Sequence, residues 1–305
     1  MTYDLIIIGS GPAGLTAGLY AARGSLKVLI IEKAGIGGQI ATAREIENYP
    51  GAPANSTGPD LAERMRQQCV EFGVEFSTRT YLSNQETPGG FLVQTDAETL
   101  ETKTIIIATG KASKSVGYKG EQELRGMGVS YCAVCDANFF KGLRVAVIGG
   151  DDAALEDSLY LTKFAKEVVI IHQQDTFKGD EVLQKKVMDC KQIEILDNTQ
   201  LEEIKGSGMV ASICVKDLKT GKICEIPMDG VFIFAGLNPN TEMFVGSLQR
   251  NAKGYLVTDA EMRTSIPGLF AAGDVREKSL RQVVTATADG AIAAFNAIKF
   301  IDELV

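Results

Sequence analysis

The stretch Gly9-Ser10-Gly11-Pro12-Ala13-Gly14 follows directly on the apolar run Leu5-Ile6-Ile7-Ile8. A short continuous apolar run that ends in glycine reads as a buried parallel strand, here Tyr3 to Gly9. Leu15 to Arg23, with small apolar residues on one face, reads as a helix, and Leu26 to Glu32 as a second strand. The three predict a βαβ unit whose glycines sit at the strand–helix turn. Gly9 permits the tight turn, Gly11 lets a pyrophosphate approach the backbone, and Gly14 allows close helix–strand packing. The helix N-terminus then presents unpaired N–H groups and its positive dipole end to the phosphates. Glu32, closing the second strand, is placed to bond both hydroxyls of an adenosine ribose. These residues suit FAD and NAD equally, and a merely tight turn is the plain alternative.

A second unit repeats the design in altered form. Val145 to Ile148 is followed by Gly149-Gly150-Asp151-Asp152-Ala153-Ala154, and His172 lies as far beyond Gly149 as Glu32 lies beyond Gly9. Asp151 therefore stands where Gly11 stands, Ala154 where Gly14 stands, and His172 where Glu32 stands. Ala is accepted at the third glycine position, so Ala154 is harmless. Asp151 is not. It puts a β-carbon and a carboxylate at the closest approach to a pyrophosphate, and Asp152 adds a second charge. A carboxylate about 4 Å from a phosphate is repelled by on the order of 4 kcal/mol at an effective dielectric of 20. That is roughly a thousandfold in affinity.

Between the two units lies Cys132-Ala133-Val134-Cys135-Asp136. Two cysteines on one helical turn share a face and can close a small disulfide ring. The first helical turn is expected to start near Cys135, where the dipole favours a thiolate. Four-coordinate zinc needs a second ligand pair. Cys190, Cys214 and Cys224 lack that spacing and His172 is the only histidine, so no metal site is expected. Two buried cysteines close by chance is the remaining alternative to a redox dithiol. Asp136 is a candidate proton donor for thiol–disulfide exchange, with a solvated acid at a helix start as its plain reading.

The 305 residues are 45% hydrophobic and 23% charged, ordinary for globular domains, and the net charge of -8 argues against nucleic acid as the main partner. Leu5 to Ile8 is too short for a membrane span and has no basic flank or cleavage site of a signal peptide. A cytoplasmic location without a membrane is the expectation, with most of the six cysteines reduced.

Further stretches carry a family likeness: Gly37-Gly38-Gln39, Glu47-Asn48-Tyr49-Pro50-Gly51, Gly128-Val129-Ser130-Tyr131 before Cys132, and Pro267-Gly268-Leu269-Phe270-Ala271-Ala272-Gly273-Asp274 followed by Arg281-Gln282. With them the chain resembles the low-molecular-weight thioredoxin reductases over almost its whole length. The resemblance implies an α/β fold of two Rossmann-like (two-dinucleotide-binding flavoprotein) domains, the second inserted in the first. Residues 1–112 plus 245–305 would form a discontinuous FAD-binding domain, and 113–244 a degenerate NAD(P)H-type domain carrying the dithiol. Lys111 to Lys119 and Gly236 to Gly246 look like the crossovers. By the same likeness FAD would be held by Gly9, Ser10, Gly11, Pro12, Ala13, Gly14, Glu32, Gly38, Gln39, Asn48, Ala108, Thr109, Gly110, Gly273, Asp274, Arg281, Gln282 and Val283. Cys135 would face the flavin, Cys132 would exchange with the thioredoxin disulfide, and Asp136 would donate the proton. The family's members are homodimers.

The departure lies in the nicotinamide site. NADPH-using relatives carry His-Arg-Arg and a further Arg to bind the 2′-phosphate. This chain has His172-Gln173-Gln174 and Lys178, and no acid at His172 to bond an NADH ribose. Loss at both the phosphate and ribose ends points to the branch of the family that takes electrons from reduced ferredoxin. No iron–sulfur ligand run exists in the chain, so the cluster belongs to that partner. Lys111, Lys114, Lys119, Arg276, Lys278 and Arg281 are candidates for docking an acidic ferredoxin. An NADH- or NADPH-dependent reductase with an atypical nucleotide site, and a non-catalytic flavin redox sensor, are the competing readings.

Overall fold

A computed structural model describes residues 2–43, 45–113, 116–177, 180–234, 236–244, 246 and 248–304. Strand β1 (Thr2–Ile8) leads into helix α1 (Pro12–Arg23) and strand β2 (Val28–Glu32). Helix α2 (Gly58–Glu71) and strands β3 (Glu75–Thr78), β4 (Tyr81–Thr87), β5 (Gly90–Thr95) and β6 (Thr99–Ile107) follow. After a short strand β7 (Lys111–Ser113) come β8 (Val129–Ser130), helix α3 (Ala133–Asp136), β9 (Arg144–Ile148), α4 (Asp152–Leu161) and β10 (Glu167–Ile171). Helix α5 (Glu181–Met188) precedes β11 (Ile193–Leu196), β12 (Thr199–Gly206), β13 (Val210–Asp217), β14 (Ile223–Pro227) and β15 (Gly230–Ile233). The chain closes with β16 (Leu237–Pro239), β17 (Leu269–Ala271) and helix α6 (Val283–Asp302).

The chain divides into two compact units, Met1–Ala112 with Asn238–Val305, and Ser113–Leu237. The return crossing thus falls ahead of the 244/245 boundary expected from sequence. The reason is local. Asn240 exchanges two hydrogen bonds with Thr109, donating Nδ2–H to its carbonyl at 2.8 Å and accepting from its hydroxyl at 2.7 Å, so the chain already belongs to the first unit there.

The first unit carries a sheet in the order β3-β2-β1-β6-β5-β4, with β17 also on β6. β1 is parallel to both β2 and β6. Its centre is buried on both faces, so Leu5, Ile6, Ile7, Ile105, Ile106 and Ile107 are essentially inaccessible. Burying each such side chain contributes about 2 kcal/mol. Helix α1 buries the small-residue face anticipated from its sequence, Ala13, Gly14, Ala17, Gly18 and Ala21. That face admits α6 at close range: a β-carbon on Gly290 would lie 2.2 Å from the Ala13 carbonyl oxygen.

The second unit repeats the parallel core on a smaller scale, in the order β11-β10-β9-β15-β8, beside an antiparallel sheet β12-β13-β14. Val145, Ala146, Val147, Val168, Val169 and Ile170 are fully buried. Among the described residues, no helix is long and apolar enough to cross a membrane.

Candidate active site

The phosphate turn of the first unit is built as its glycines predict. Gly9 has φ of 106°, and a β-carbon there would lie 2.5 Å from the Ala108 carbonyl oxygen. Gly11 is the N-cap of α1, with Pro12 next in the helix, and no side chain caps it. A β-carbon on Gly11 would meet nothing within 4 Å. Open space in front of an uncapped helix N-terminus is what a pyrophosphate needs. Gly38, with φ of 57°, closes one flank at Gly11, because its own β-carbon would lie 3.2 Å from the Gly11 Cα.

Glu32 is tied into the turn. Its Oε2 accepts from the Ser10 N–H at 3.0 Å and the Ser10 hydroxyl at 2.8 Å, and Oε1 accepts from the Ala34 N–H at 3.1 Å. A carboxylate has about four acceptor positions, so capacity for ribose hydroxyls remains. Gln39 donates its amide N–H to the Lys111 carbonyl at 2.7 Å, and Asn48 donates to the Gln282 amide oxygen at 3.0 Å. Ala108 is buried, and Gly110 turns the chain at φ of 67°. Gln282 caps α6 in a reciprocal capping box with Thr285, and Val283 begins that helix.

At Gly273 the chain turns at φ of 81°, where a β-carbon would lie 2.7 Å from Ala13 Cβ. Its N–H goes to Asp289 Oδ2 at 3.0 Å. Burial pushes the Asp274 carboxyl up, against the lowering pull of Lys111, Lys278 and Arg281. Asp274 Oδ1 and Arg281 Nε are buried without a hydrogen-bond partner. Buried orphan polar atoms are costly unless a ligand or water meets them. Together with the open turn at Gly11, they make these residues fit a flavin dinucleotide. Sequence reading missed Asn240, which braces Thr109, and Asp289, which braces Gly273. Neither carries a local motif, since both act on residues distant in the chain.

The corresponding turn of the second unit is occupied by its own side chains. Asp151 is the N-cap of α4, and its Oδ1 accepts the Ala154 N–H at 3.1 Å. The carboxylate that the sequence places against a phosphate also takes a helix N–H that a phosphate would use. Asp152 Oδ1 accepts the Asp180 N–H at 2.7 Å, so Asp180, the N-cap of α5, is held at the same end. His172 is 6% exposed, and its Nε2 lies 2.6 Å from Asp197 Oδ1. Its ring packs on Phe177 with centroids 4.5 Å apart. A β-carbon on Gly150 would lie 3.2 Å from His172 Cβ, so no room remains between turn and ring. Gln173 and Gln174 are exposed, and Lys178 lies outside the described residues.

Cys132 and Cys135 form a disulfide with Cα atoms 5.3 Å apart. Helix α3 starts at Ala133, not near Cys135, and Cys132 is its N-cap. The Cys135 N–H points at Cys132 Sγ at 3.2 Å. The thiolate-favouring position thus belongs to Cys132, since the extended residue before a helix, not the third residue within it, faces the free N–H groups. Burial raises the Asp136 pKa, opposed by a hydrogen bond from Ser130. Ser130 donates its hydroxyl to Asp136 Oδ2 at 2.5 Å and accepts the Cys132 N–H at 3.1 Å. Ser130 appears in the sequence only as part of a resembling stretch, because nothing in its spacing marks it.

The docking cations fare differently. Lys278 is 8% exposed and lies 2.7 Å from Asp289 Oδ2, and Arg276 joins the same carboxylate at 3.4 Å. Lys111 is 14% exposed and lies 3.7 Å from Asp274. The Arg281 guanidinium lies over the Tyr255 ring at 3.9 Å. These four brace the first unit and do not offer a free basic face. Lys119 is exposed but paired with Glu203 at 2.8 Å, and Lys114 lies outside the described residues.

The family model described as pyridine nucleotide-disulphide oxidoreductase matches residues 3–290. The chain is 44% identical to the thioredoxin reductase of Peptoclostridium acidaminophilum over 307 residues, 98% of this chain and 97% of the relative. It is 45% identical to that of Peptoclostridium litorale over 308 residues, 99% and 98% of the two chains. The solved thioredoxin reductase from Streptococcus pyogenes superposes with a TM-score of 0.96 at 40% identity, covering 99% of both. With the flavin-fitting turn and the dithiol, these likenesses establish that the chain belongs to the FAD-dependent thioredoxin reductases of the pyridine nucleotide-disulphide oxidoreductase family.

Proposed function

We propose that this protein reduces thioredoxin through Cys132 and Cys135 with electrons taken from reduced ferredoxin instead of NADPH. The observation that carries the reading is the contrast between two helix N-termini. The N-cap of α1 is the bare Gly11, whereas that of α4 is Asp151 with its carboxylate on the Ala154 N–H. A nicotinamide dinucleotide would have to displace that bond and tolerate the charge, with no arginine in the 172–174 run to compensate.

FAD, when bound, supplies the two-electron reduction that opens the disulfide. It would be held by the Gly9 to Gly14 turn with Glu32, Gly38, Gln39, Asn48, Ala108, Thr109, Gly110, Gly273, Asp274, Arg281, Gln282 and Val283. In the outgoing half-reaction Cys132 enters as thiolate, favoured by the Cys135 N–H, while Cys135 is a thiol and Asp136 an acid. Cys132 sulfur attacks the thioredoxin disulfide. One substrate sulfur leaves and takes the Asp136 proton, and a mixed disulfide forms. Asp136 then accepts the Cys135 proton. The Cys135 thiolate attacks Cys132 sulfur, restores the Cys132–Cys135 disulfide and releases the second substrate thiolate. Two electrons pass to thioredoxin, and Asp136 ends as it began.

The setting is the cytoplasm, and the working form is a homodimer. A groove of about 880 Å³ on the first unit, lined by Leu19, Tyr20, Met65 and Val284 together with Arg64 and Glu71, is the mixed apolar and polar surface a second copy would cover. Sedimentation of wild type against Tyr20→Glu tests it, with a monomeric wild type overturning it.

Anaerobic titration decides the donor. Reduced ferredoxin should bleach the flavin and drive thioredoxin reduction, while NADPH and NADH at micromolar levels should leave the spectrum unchanged. Rapid bleaching by either nucleotide overturns the proposal. Ferredoxin-driven bleaching without thioredoxin reduction would favour a redox sensor.

A further inference from the structure

We infer that Ser130 is a positioning residue that holds Asp136 and lets it exchange its proton without stranding a buried polar atom. The inference rests on the dithiol mechanism proposed above. Ser130 ends β8, is 4% exposed, and lies at the centre of a small network. Its Oγ lies 2.5 Å from Asp136 Oδ2, 3.1 Å from the Cys132 nitrogen and 3.4 Å from the Cys132 carbonyl oxygen. A serine hydroxyl carries one donor and two acceptor lone pairs. With Asp136 ionised, the hydroxyl donates to the carboxylate and accepts the Cys132 N–H. With Asp136 protonated, the acid donates to Oγ, and the hydroxyl turns its hydrogen to the Cys132 carbonyl. Both protonation states are therefore satisfied by one rotation about the serine C–O bond. An alanine would remove the Ser130 hydrogen bond from this half-buried carboxyl in both protonation states, and losing a bond to such a group carries a cost.

The network also fixes the dithiol loop, because both Cys132 backbone groups that Ser130 meets flank the attacking sulfur. The groups facing Asp136 are few. Ser130 opposes the effect of burial, and helix α4, which packs on α3, carries the acids Asp152, Glu156 and Asp157. Cys132 and Cys135 adjoin it and are joined in the disulfide. Tyr131, next in the chain, gives its hydroxyl to Glu121 at 2.7 Å instead.

The test uses the FAD-loaded enzyme reduced with dithionite and mixed with oxidised thioredoxin across pH 5 to 9. Ser130→Ala should slow the exchange on the order of tenfold and move the Asp136 limb of the profile to higher pH, because a bond favouring the carboxylate is lost. Ser130→Thr, which keeps the hydroxyl, should restore the wild-type limb. A Ser130→Ala profile of wild-type shape, or a Ser130→Thr profile like that of Ser130→Ala, overturns the inference. Infrared spectra of the wild type cover the case in which Ser130→Ala does not fold. A carboxyl band absent from Asp136→Asn should titrate above the ordinary carboxylate range and keep that titration in Ser130→Thr. A band that titrates at the ordinary value, or that moves to a different pH in Ser130→Thr, counts against it. Loss of the donor reading leaves this test intact, since dithionite replaces the donor.

Discussion

Replacing Asp151 by Gly should reopen the second phosphate turn. In the wild type the carboxylate lies 3.1 Å from the Ala154 nitrogen, so a phosphate oxygen sharing that donor would sit within about 4 Å of a like charge. The repulsion at that distance is on the order of 4 kcal/mol at an effective dielectric of 20, or roughly a thousandfold in dissociation constant. Relaxation and the missing arginines lower the yield. Asp151→Gly alone should tighten NADPH binding by about tenfold to a hundredfold, and adding Gln173→Arg and Gln174→Arg should approach the full factor. The stability cost is small, since exchanging an N-cap acid for Gly costs only about a few tenths of a kcal/mol. Asp151→Asn separates charge from occupancy. It keeps the cap on Ala154, removes the repulsion, and should recover only part of the gain. Calorimetric titration of NADPH into each holoenzyme supplies the numbers, with ferredoxin-driven thioredoxin reduction as the unchanged control. Equal nucleotide affinity in wild type and Asp151→Gly would refute the reasoning, as would micromolar NADPH binding by the wild type.

Asp136→Asn should slow thioredoxin reduction yet raise thermal stability near neutral pH. Its carboxyl pKa is raised by burial, so the ionised form destabilises the fold above that raised value, and the penalty vanishes below the ordinary 3.8. The stability gain should therefore fade as melts are taken toward pH 4, and a gain independent of pH would contradict it. Gly14→Ala sets a β-carbon 2.0 Å from the Gly9 carbonyl oxygen, so flavin content should drop and stability fall by about 1–3 kcal/mol in denaturant melts. Asp289→Ala leaves Lys278 buried beside Arg276 without its acid, and should cost about 3 kcal/mol in the same melts while ferredoxin affinity changes little.

Much of the Gly9 to Gly14 turn was legible because its causes are local. Gly9 and Gly14 are demanded by backbone atoms within a few residues or on the adjacent strand, and the apolar run Leu5 to Ile8 of β1 reads as a strand buried on both faces. The start of α3 was misplaced because a four-residue helix leaves no periodicity to read. Lys111, Arg276, Lys278 and Arg281 resembled docking cations because charge in a sequence says nothing of burial. Their acids, Asp274 and Asp289, become partners only once β17 and α6 are packed.

The sequence by itself determined that two βαβ units of equal spacing exist, that one retains its three glycines and the acid closing its second strand, and that a pair of cysteines lies between them. These are properties of neighbours along the chain, where spacing maps directly onto geometry. Tertiary structure alone decided which polar groups already have partners. Asp151 takes the helix donor, His172 meets Asp197, Ser130 bridges Cys132 to Asp136, and Asp274 keeps a buried oxygen in reserve. Hydrogen-bond satisfaction depends on which groups folding brings within about 3 Å, and residue order does not encode that distance.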